Sequence, residues 1–314
     1  MTRGGATDVE EQRKPGGPLR RLKRALRVIR QRRIQDIAPP GPRLRLGLDP
    51  VEVHSVVCAS DVPMSLWSLS SFVAFTGLRP RVVLHDDGTL TQAHRDAYAR
   101  AFEGIEVLDA QAMDRATDQA LQDHPVCAAF RRRPDFYCAR KLFDLLVAAH
   151  APTLLVLDSD VLFFRRPERL LECMAQGAPC FGSDYQSSYA APPEALAAWR
   201  GAEVLPQVNA GLLHVPVEGY RSHLDLIERY LAFAQATLPP GQVNQHEQTA
   251  HALLMTELGA ERLPAGYQLQ GELGPHTVSH HFVRDGKQRA RFWHRGVRRI
   301  RRDVARRLAR LARG

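Results

Sequence analysis

Two aspartates, Asp158 and Asp160, interrupt the apolar run LLVLDSDVLFFRRPERLL, Leu154 to Leu171. The run has the length and the Leu, Val and Phe content of a strand buried on both faces, where an ionised carboxylate is costly unless it is paired, hydrogen-bonded or bound to a metal. In an extended chain, residues two apart project to the same side, so the two carboxylates face one ligand together while Ser159 projects away. Two hard oxygen ligands suit Mg²⁺ or Mn²⁺, ions that use one or two protein carboxylates and take further oxygens from a phosphorylated substrate. A bare D-x-D also has a purely structural explanation, in which the aspartates cap the following helix or pair with Arg165 and Arg166.

The elements around the pair alternate. VHSVVCAS (53–60) reads as a strand, PMSLWSLSSFVAFTG as a helix closed by Gly77, and RVVLHDDG as a second strand ending in a turn. HRDAYARAFEG is a helix and IEVLD a third strand; FYCARKLFDLLVAAH is a longer helix leading into the LLVLDSD strand. Pro167 then opens the helix PERLLECMA, since a first-turn proline is tolerated. This order predicts an α/β fold with a mostly parallel mixed sheet and helices on both faces. Ligands bind such sheets at the carboxyl ends of the strands. Four of these ends are polar: Ser60-Asp61, His85-Asp86-Asp87-Gly88, Asp109, and Asp158-Ser159-Asp160. Ser60-Asp61 reads equally as a helix start, and Asp86-Asp87-Gly88 as a turn.

VLDSDVLFFRRPERLLE resembles the D-x-D segment of GT-A type glycosyltransferases of the glycogenin-like and related bacterial families. The resemblance spans roughly residues 53 to 283 as six segments in one order. It implies the Rossmann-like GT-A fold and assigns roles residue by residue. CASDVP (58–63) is similar to the end of the first strand, where Ser60 and Asp61 would meet the nucleotide base and ribose. RKLFDLL (140–146) is similar to the helix before the D-x-D and puts Lys141 at the donor. Asp158 and Asp160 would bind the metal, with Asp158 shared with the ribose and Ser159 counted among the donor contacts. VNAGLLHVP (208–216) resembles the N-x-G segment near the donor sugar, and EQTAHALL (247–254) an acidic-Gln segment of the same pocket. Asn209, Glu247 and Gln248 would be the catalytic and sugar-orienting groups, with Gly211 allowing close backbone approach. SHHFV (279–283) resembles the late strand that supplies a histidine to the metal.

Two positions depart from the pattern. Glu247 stands where these families usually have Asp, and HHFVRDGKQRARFW replaces the H-x-x-G-x-x-K-P-W run. Alternation places His280 and His281 on opposite faces; His281, before the aromatic Phe282, is favoured as the ligand, and Lys287 is expected to reach phosphate. The implied activity is metal-dependent hexosyl transfer from a nucleotide-diphosphate sugar, a UDP-sugar being favoured, to a glycan or lipid-linked acceptor. The glycogenin-like flavour favours retention of configuration. An Mg²⁺-dependent phosphatase of the haloacid dehalogenase type is the enzymatic alternative, although there D-x-D lies on the first strand and continues with Gly-Thr or similar, whereas Val161 and Leu162 follow here. A nonenzymatic basic scaffold binding membranes or nucleic acid is the other.

The charge distribution bears on partners. Residues 1–45 carry 13 Lys/Arg against 4 Asp/Glu, and residues 284–314 carry 13 against 2, so the chain's net +9 hides an acidic body of −11. PLRRLKRALRVIRQRRIQDI (18–37) predicts a basic amphipathic helix, and GVRRIRRDVARRLARLARG (296–314) a second, with Val297, Ile300, Val304, Leu308 and Leu311 on its apolar face. Three units are therefore expected: a basic segment 1–45, a catalytic domain 46–283 and a basic helix 284–314. Such helices suit an anionic membrane surface or docking onto the acidic body; nucleic acid is unlikely, since aromatic interleaving is missing. Five scattered cysteines without a C-x-x-C pair, no leader-like apolar segment at the start and no run long enough to span a bilayer point to the cytoplasm, with peripheral attachment at the inner membrane face.

Overall fold

A computed structural model describes residue 39 and residues 41–134, 136–238, 243–283 and 286–313. The helix expected over 18–37 lies outside the described residues. Twelve strands are numbered in chain order: β1 (Leu44–Arg45), β2 (Glu52–Val57), β3 (Arg81–Asp86), β4 (Phe102–Glu103), β5 (Glu106–Leu108), β6 (Thr153–Leu157), β7 (Val161–Phe163), β8 (Cys180–Ser183), β9 (Val208–Pro216), β10 (Glu261–Arg262), β11 (Tyr267–Gln268) and β12 (Ser279–His281). Seven form the central sheet in the order β10-β8-β9-β6-β2-β3-β5. It is parallel throughout except for β9, which runs antiparallel to both β8 and β6. A three-stranded sheet, β11-β12-β7, lies beside it, and β1 pairs with β4.

Strand alternation sorts the core into two faces. Leu155 and Leu157 of β6 join one apolar cluster with Val53 and Val57 of β2, while Leu154 and Val156 join another with Val56. The first cluster includes the helix Val62–Thr76, in which every residue but Pro63 is buried. A helix apolar all round must be covered all round. It packs against β7 and against the C-terminal helix Arg298–Leu311, whose Ile300, Val304 and Leu308 are buried. Gly77, at φ +80°, closes this helix as expected, returning its N–H to the Val73 carbonyl. A π-helical segment, Phe292–Val297, leads into the C-terminal helix. The absence of a side chain at Gly296 matters there, since a Cβ would fall 2.6 Å from Leu162 of β7.

Two expectations about the strand holding the aspartates change. The apolar run is not one strand: β6 ends at Leu157, Asp158–Asp160 make a turn in which the Val161 N–H donates to the Asp158 carbonyl at 3.2 Å, and β7 begins a different sheet. Arg165 and Arg166 pair with neither aspartate; they donate to the carbonyls of Pro275 and Thr76. The helix read over 136–150 is α-helical only from Arg140 to Ala148, its first turn being 3₁₀. Among the described residues no helix is long and apolar enough to cross a membrane.

A buried polar chain ties the far end of β2 to its neighbours. Glu52 accepts from Arg81 and from His54 Nε2, each at 2.6 Å, and from the Ala151 N–H at 2.8 Å, while His54 Nδ1 lies 2.9 Å from His85 Nε2. Burial lowers the pKa of both histidines, so both rings are neutral near pH 7: His54 donates to Glu52 and accepts from His85. Burial alone would raise Glu52, but the bonds from His54, Ala151 and His150 outweigh it and hold its carboxyl at about 2. The folded state therefore resists proton uptake at all three groups while the unfolded chain does not, so stability falls as pH drops below the ordinary histidine value and again from 4.5 toward 2. Glu52→Gln is expected to cost about 3 kcal/mol at pH 7. Chemical denaturation at pH 7 and pH 3 checks this: the difference from wild type should shrink in acid, and a pH-independent difference would contradict the assignment.

Candidate metal centre and donor cleft

The acidic turn is held from three directions. The Asp158 N–H donates to the Gly211 carbonyl of β9 at 2.9 Å, and the Asp158 carbonyl accepts from Ser68 of the buried helix at 3.0 Å. The Asp160 carbonyl accepts from the Phe282 N–H at 2.9 Å, just past His281 at the end of β12. These bonds bring three side chains together: His281 Nε2 lies 2.9 Å from Asp160 Oδ1 and 3.8 Å from Asp158 Oδ2. His280 faces the other way, buried against Phe282 with ring centroids 4.4 Å apart, and burial drops its pKa to about 4. Of the two histidines, His281 is the one at the aspartates.

Asn209 and Gly211 serve that histidine. His281 Nδ1 lies 2.8 Å from Asn209 Oδ1, which also accepts the Gly211 N–H at 3.0 Å. Asn209 thus fixes the proton on Nδ1 and leaves Nε2 aimed at the carboxylates. A Cβ on Gly211 would lie 2.3 Å from His281 Cε1. The close approach expected at this glycine is made by the imidazole.

Lys141 is buried between two carboxylates, 3.2 Å from both oxygens of Asp158 and 3.2 Å from Glu247 Oε1. Burial pulls its pKa down, yet Asp158 and Glu247 more than reverse this and hold it well above the usual lysine value. Glu247 is the mirror case: burial raises it, and Lys141 and His251 bring it below the ordinary range. Its carboxylate reaches Lys141 while His251, one turn on, stands 3.1 Å away. Burial raises Asp158 against the pull of Lys141 and His281. For His281, burial lowers the pKa and the two aspartates raise it to a net increase.

An open cleft of about 480 Å³ is lined by Asp61, Lys141, Asp158, Ser159, Asp160, Asn209, Gly211, Glu247, Gln248 and His281. Ser60 and Lys287 are not among its walls. Ser60 donates to Asp61 at 3.1 Å, and Lys287 lies exposed on the helix Gly286–Arg291. The Asp61 side chain makes no cap bond to the helix it precedes and takes Arg289 instead. Only two of the four polar strand ends reach this cleft. Asp86 and Asp87 fold onto the N–H groups of Gly88, Leu90 and Thr89, and Asp109 caps the next helix through the Ala112 N–H.

Sequence reasoning missed Asp184, Tyr185 and Ser188, which line the cleft after β8. Asp184 Oδ2 accepts the Gln248 amide at 3.1 Å, so it orients a residue that had been singled out. The signal was there: CFGSD repeats the logic of LLVLD, a short apolar strand ending in an acid at the same sheet edge.

The donor set fits a hard divalent cation. The ligand atoms of Asp158, Asp160 and His281 all lie within 4.8 Å of one another, and adjacent ligands of an octahedral Mg²⁺-sized ion stand about 3 Å apart. Two carboxylates with one imidazole, which gives up its Nε2 proton on coordinating, suit Mn²⁺ or Mg²⁺.

No protein-family model matches the chain, and no curated protein matches it. Solved structures do. The mouse xyloside xylosyltransferase 1, in its apo form, is 12% identical, with 74% of this chain and 96% of that chain covered at a TM-score of 0.51. The galactosyltransferase LgtC, in complex with donor and acceptor sugar analogues, is 14% identical, with 81% and 95% covered at a TM-score of 0.50. The expected architecture and the shared topology agree: this chain has the GT-A fold of nucleotide-sugar glycosyltransferases.

Proposed function

We propose that the protein is a metal-dependent glycosyltransferase that moves a hexosyl group from a nucleotide-diphosphate sugar, a UDP-sugar being the favoured donor, to a glycan or lipid-linked acceptor. One observation carries the reading: the Asp158–Asp160–His281 cluster opens into a polar cleft at the carboxyl edge of a GT-A sheet. A fold neighbour that binds donor and acceptor sugar analogues supports it.

Asp160 and His281 are the metal ligands, with Asp158 shared between metal and ribose. A bound Mn²⁺ or Mg²⁺ supplies a Lewis acid for the charge that gathers on the departing diphosphate. Lys141 stands between Asp158 and Glu247 and offsets the repulsion between their carboxylates. Asn209 holds the imidazole, Gln248 is presented by Asp184 toward sugar or acceptor hydroxyls, and Asp61, which lines the cleft and accepts from Ser60 behind it, offers an oxygen partner to the ribose. Ser159 in the cleft lining is assigned to a donor contact, and Lys287, outside the walls, to a phosphate reaching past them. The phosphatase alternative places D-x-D after the first strand and continues it with Gly-Thr or similar, whereas here the pair follows β6 and continues with Val161 and Leu162. Outward arginines on the helix Arg298–Leu311 suit an anionic membrane surface at the cytoplasmic face, an attachment that would be electrostatic because the apolar face is already packed inside.

Incubation with a panel of nucleotide sugars and Mn²⁺ tests the activity. Asp158→Asn combined with Asp160→Asn is expected to lower transfer or donor hydrolysis by at least about 10²-fold and to remove detectable Mn²⁺ binding in calorimetry; unchanged turnover and cation affinity would end the proposal. Gly211→Ala is expected to push the His281 ring aside and weaken Mn²⁺ binding about 10- to 100-fold. Mn²⁺ titration of the folded variant measures this, and wild-type affinity would show that the ring is not a ligand.

A further inference from the structure

Among the described residues only three large hydrophobic side chains are exposed, Leu48, Tyr185 and Val283, and two of them, Tyr185 and Val283, line the cleft that holds the acidic cluster. Tyr185 is 51% exposed, while its backbone is pinned. Its N–H donates to Asp184 Oδ1 at 2.6 Å, and its carbonyl accepts the Gln207 side-chain amide at 3.1 Å. The Gln207 N–H in turn donates to Ser187 Oγ at 3.2 Å, and its carbonyl accepts the Asp184 N–H at 2.8 Å. Gln207 is also the one non-glycine among the described residues with positive φ, at +59°. A strained backbone position that locks a loop carrying an exposed aromatic is a pattern found at ligand clamps.

Asp184 links this aromatic to the chemistry. One of its oxygens fixes the Tyr185 backbone, and the other takes the Gln248 amide. A flat apolar ring thus stands one residue from a carboxylate–amide pair, at the mouth of the cleft proposed to hold the donor. A pyranose presents the matching chemistry, with a C–H face for the negative face of a π-system and a hydroxyl rim for amide and carboxylate. A lipid tail would need a contiguous apolar surface, and the exposed apolar residues are too few for one.

We propose that Tyr185 is the stacking platform for the acceptor sugar and so a specificity-determining residue; the inference rests on the glycosyltransferase reading and assigns the acceptor's chemical class as a pyranoside. Its removal should weaken saccharide binding about two- to tenfold, the range of aromatic stacking contacts.

The test is saturation-transfer difference NMR on the full chain, with and without UDP and Mn²⁺. Probes are methyl β-D-galactopyranoside, methyl α-D-glucopyranoside, lactose and dodecyl maltoside. Wild type is expected to transfer saturation to the C–H protons of one pyranose face. Tyr185→Ala should cut this two- to tenfold with unchanged UDP affinity and unchanged thermal melting, and Tyr185→Phe should keep it. Wild-type transfer in Tyr185→Ala, loss in both variants, an effect confined to the dodecyl chain, or no transfer from wild type to any saccharide would each overturn the proposal. Failure of UDP to bind with Mn²⁺ would strike the glycosyltransferase reading, while the nucleotide-free saccharide arm would still decide Tyr185.

Discussion

Asp158, Asp160 and Glu247 crowd their carboxylates into one largely buried pocket, and the surrounding structure answers the repulsion among them. Like charges at such range raise one another's pKa and would drive protons onto the group unless cations are built in. Lys141 answers for Asp158 and Glu247, and His281 answers for Asp160 and part of Asp158. Each countercharge needs its own support. Lys141 depends on the helix Arg140–Ala148 ending its side chain inside the sheet edge, and His281 depends on Asn209 and on the missing side chain at Gly211. The antiparallel β9 beside β6 carries both residues that set the imidazole.

The same balance makes the pocket a poised anion, compensated at its back and open at its front. Lys141 neutralises from the buried side, whereas the free edges of Asp158 and Asp160 with His281 Nε2 converge on one small volume. A buried ion pair of this kind is weak evidence of stabilisation, since desolvation offsets the attraction. On the proposed metal-dependent reading its value lies in holding geometry, because Mg²⁺ tolerates little error in ligand placement.

Much of this was legible in the sequence where a single local rule applied. Alternation separated His280 from His281, a glycine marked the end of the helix Val62–Thr76, and charged residues in an apolar run marked the acidic pair. What escaped depended on contacts between distant segments. The break at Asp158 was hidden because β6 and β7 are both apolar, and only their assignment to different sheets ends the first. Asn209 and Gly211 were marked as important without their partner, since nothing local says that residue 281 will lie against residue 211. Asp184 and Tyr185 went unread because their neighbours Gln207 and Gln248 come from other elements. Four polar strand ends looked equivalent, and two were spent on turns and a cap.

The buried helix Val62–Thr76 supplies Ser68 to the acidic turn, and its covering comes from the distant helix Arg298–Leu311. During synthesis that helix emerges early, with an oily flank that has no cover until the chain has been made through residue 311. Until the segment through residue 311 has been made the acidic turn lacks that backing, so a product stopped before it would be sticky, a dependence that ties quality control of the nascent chain to an arginine-rich helix.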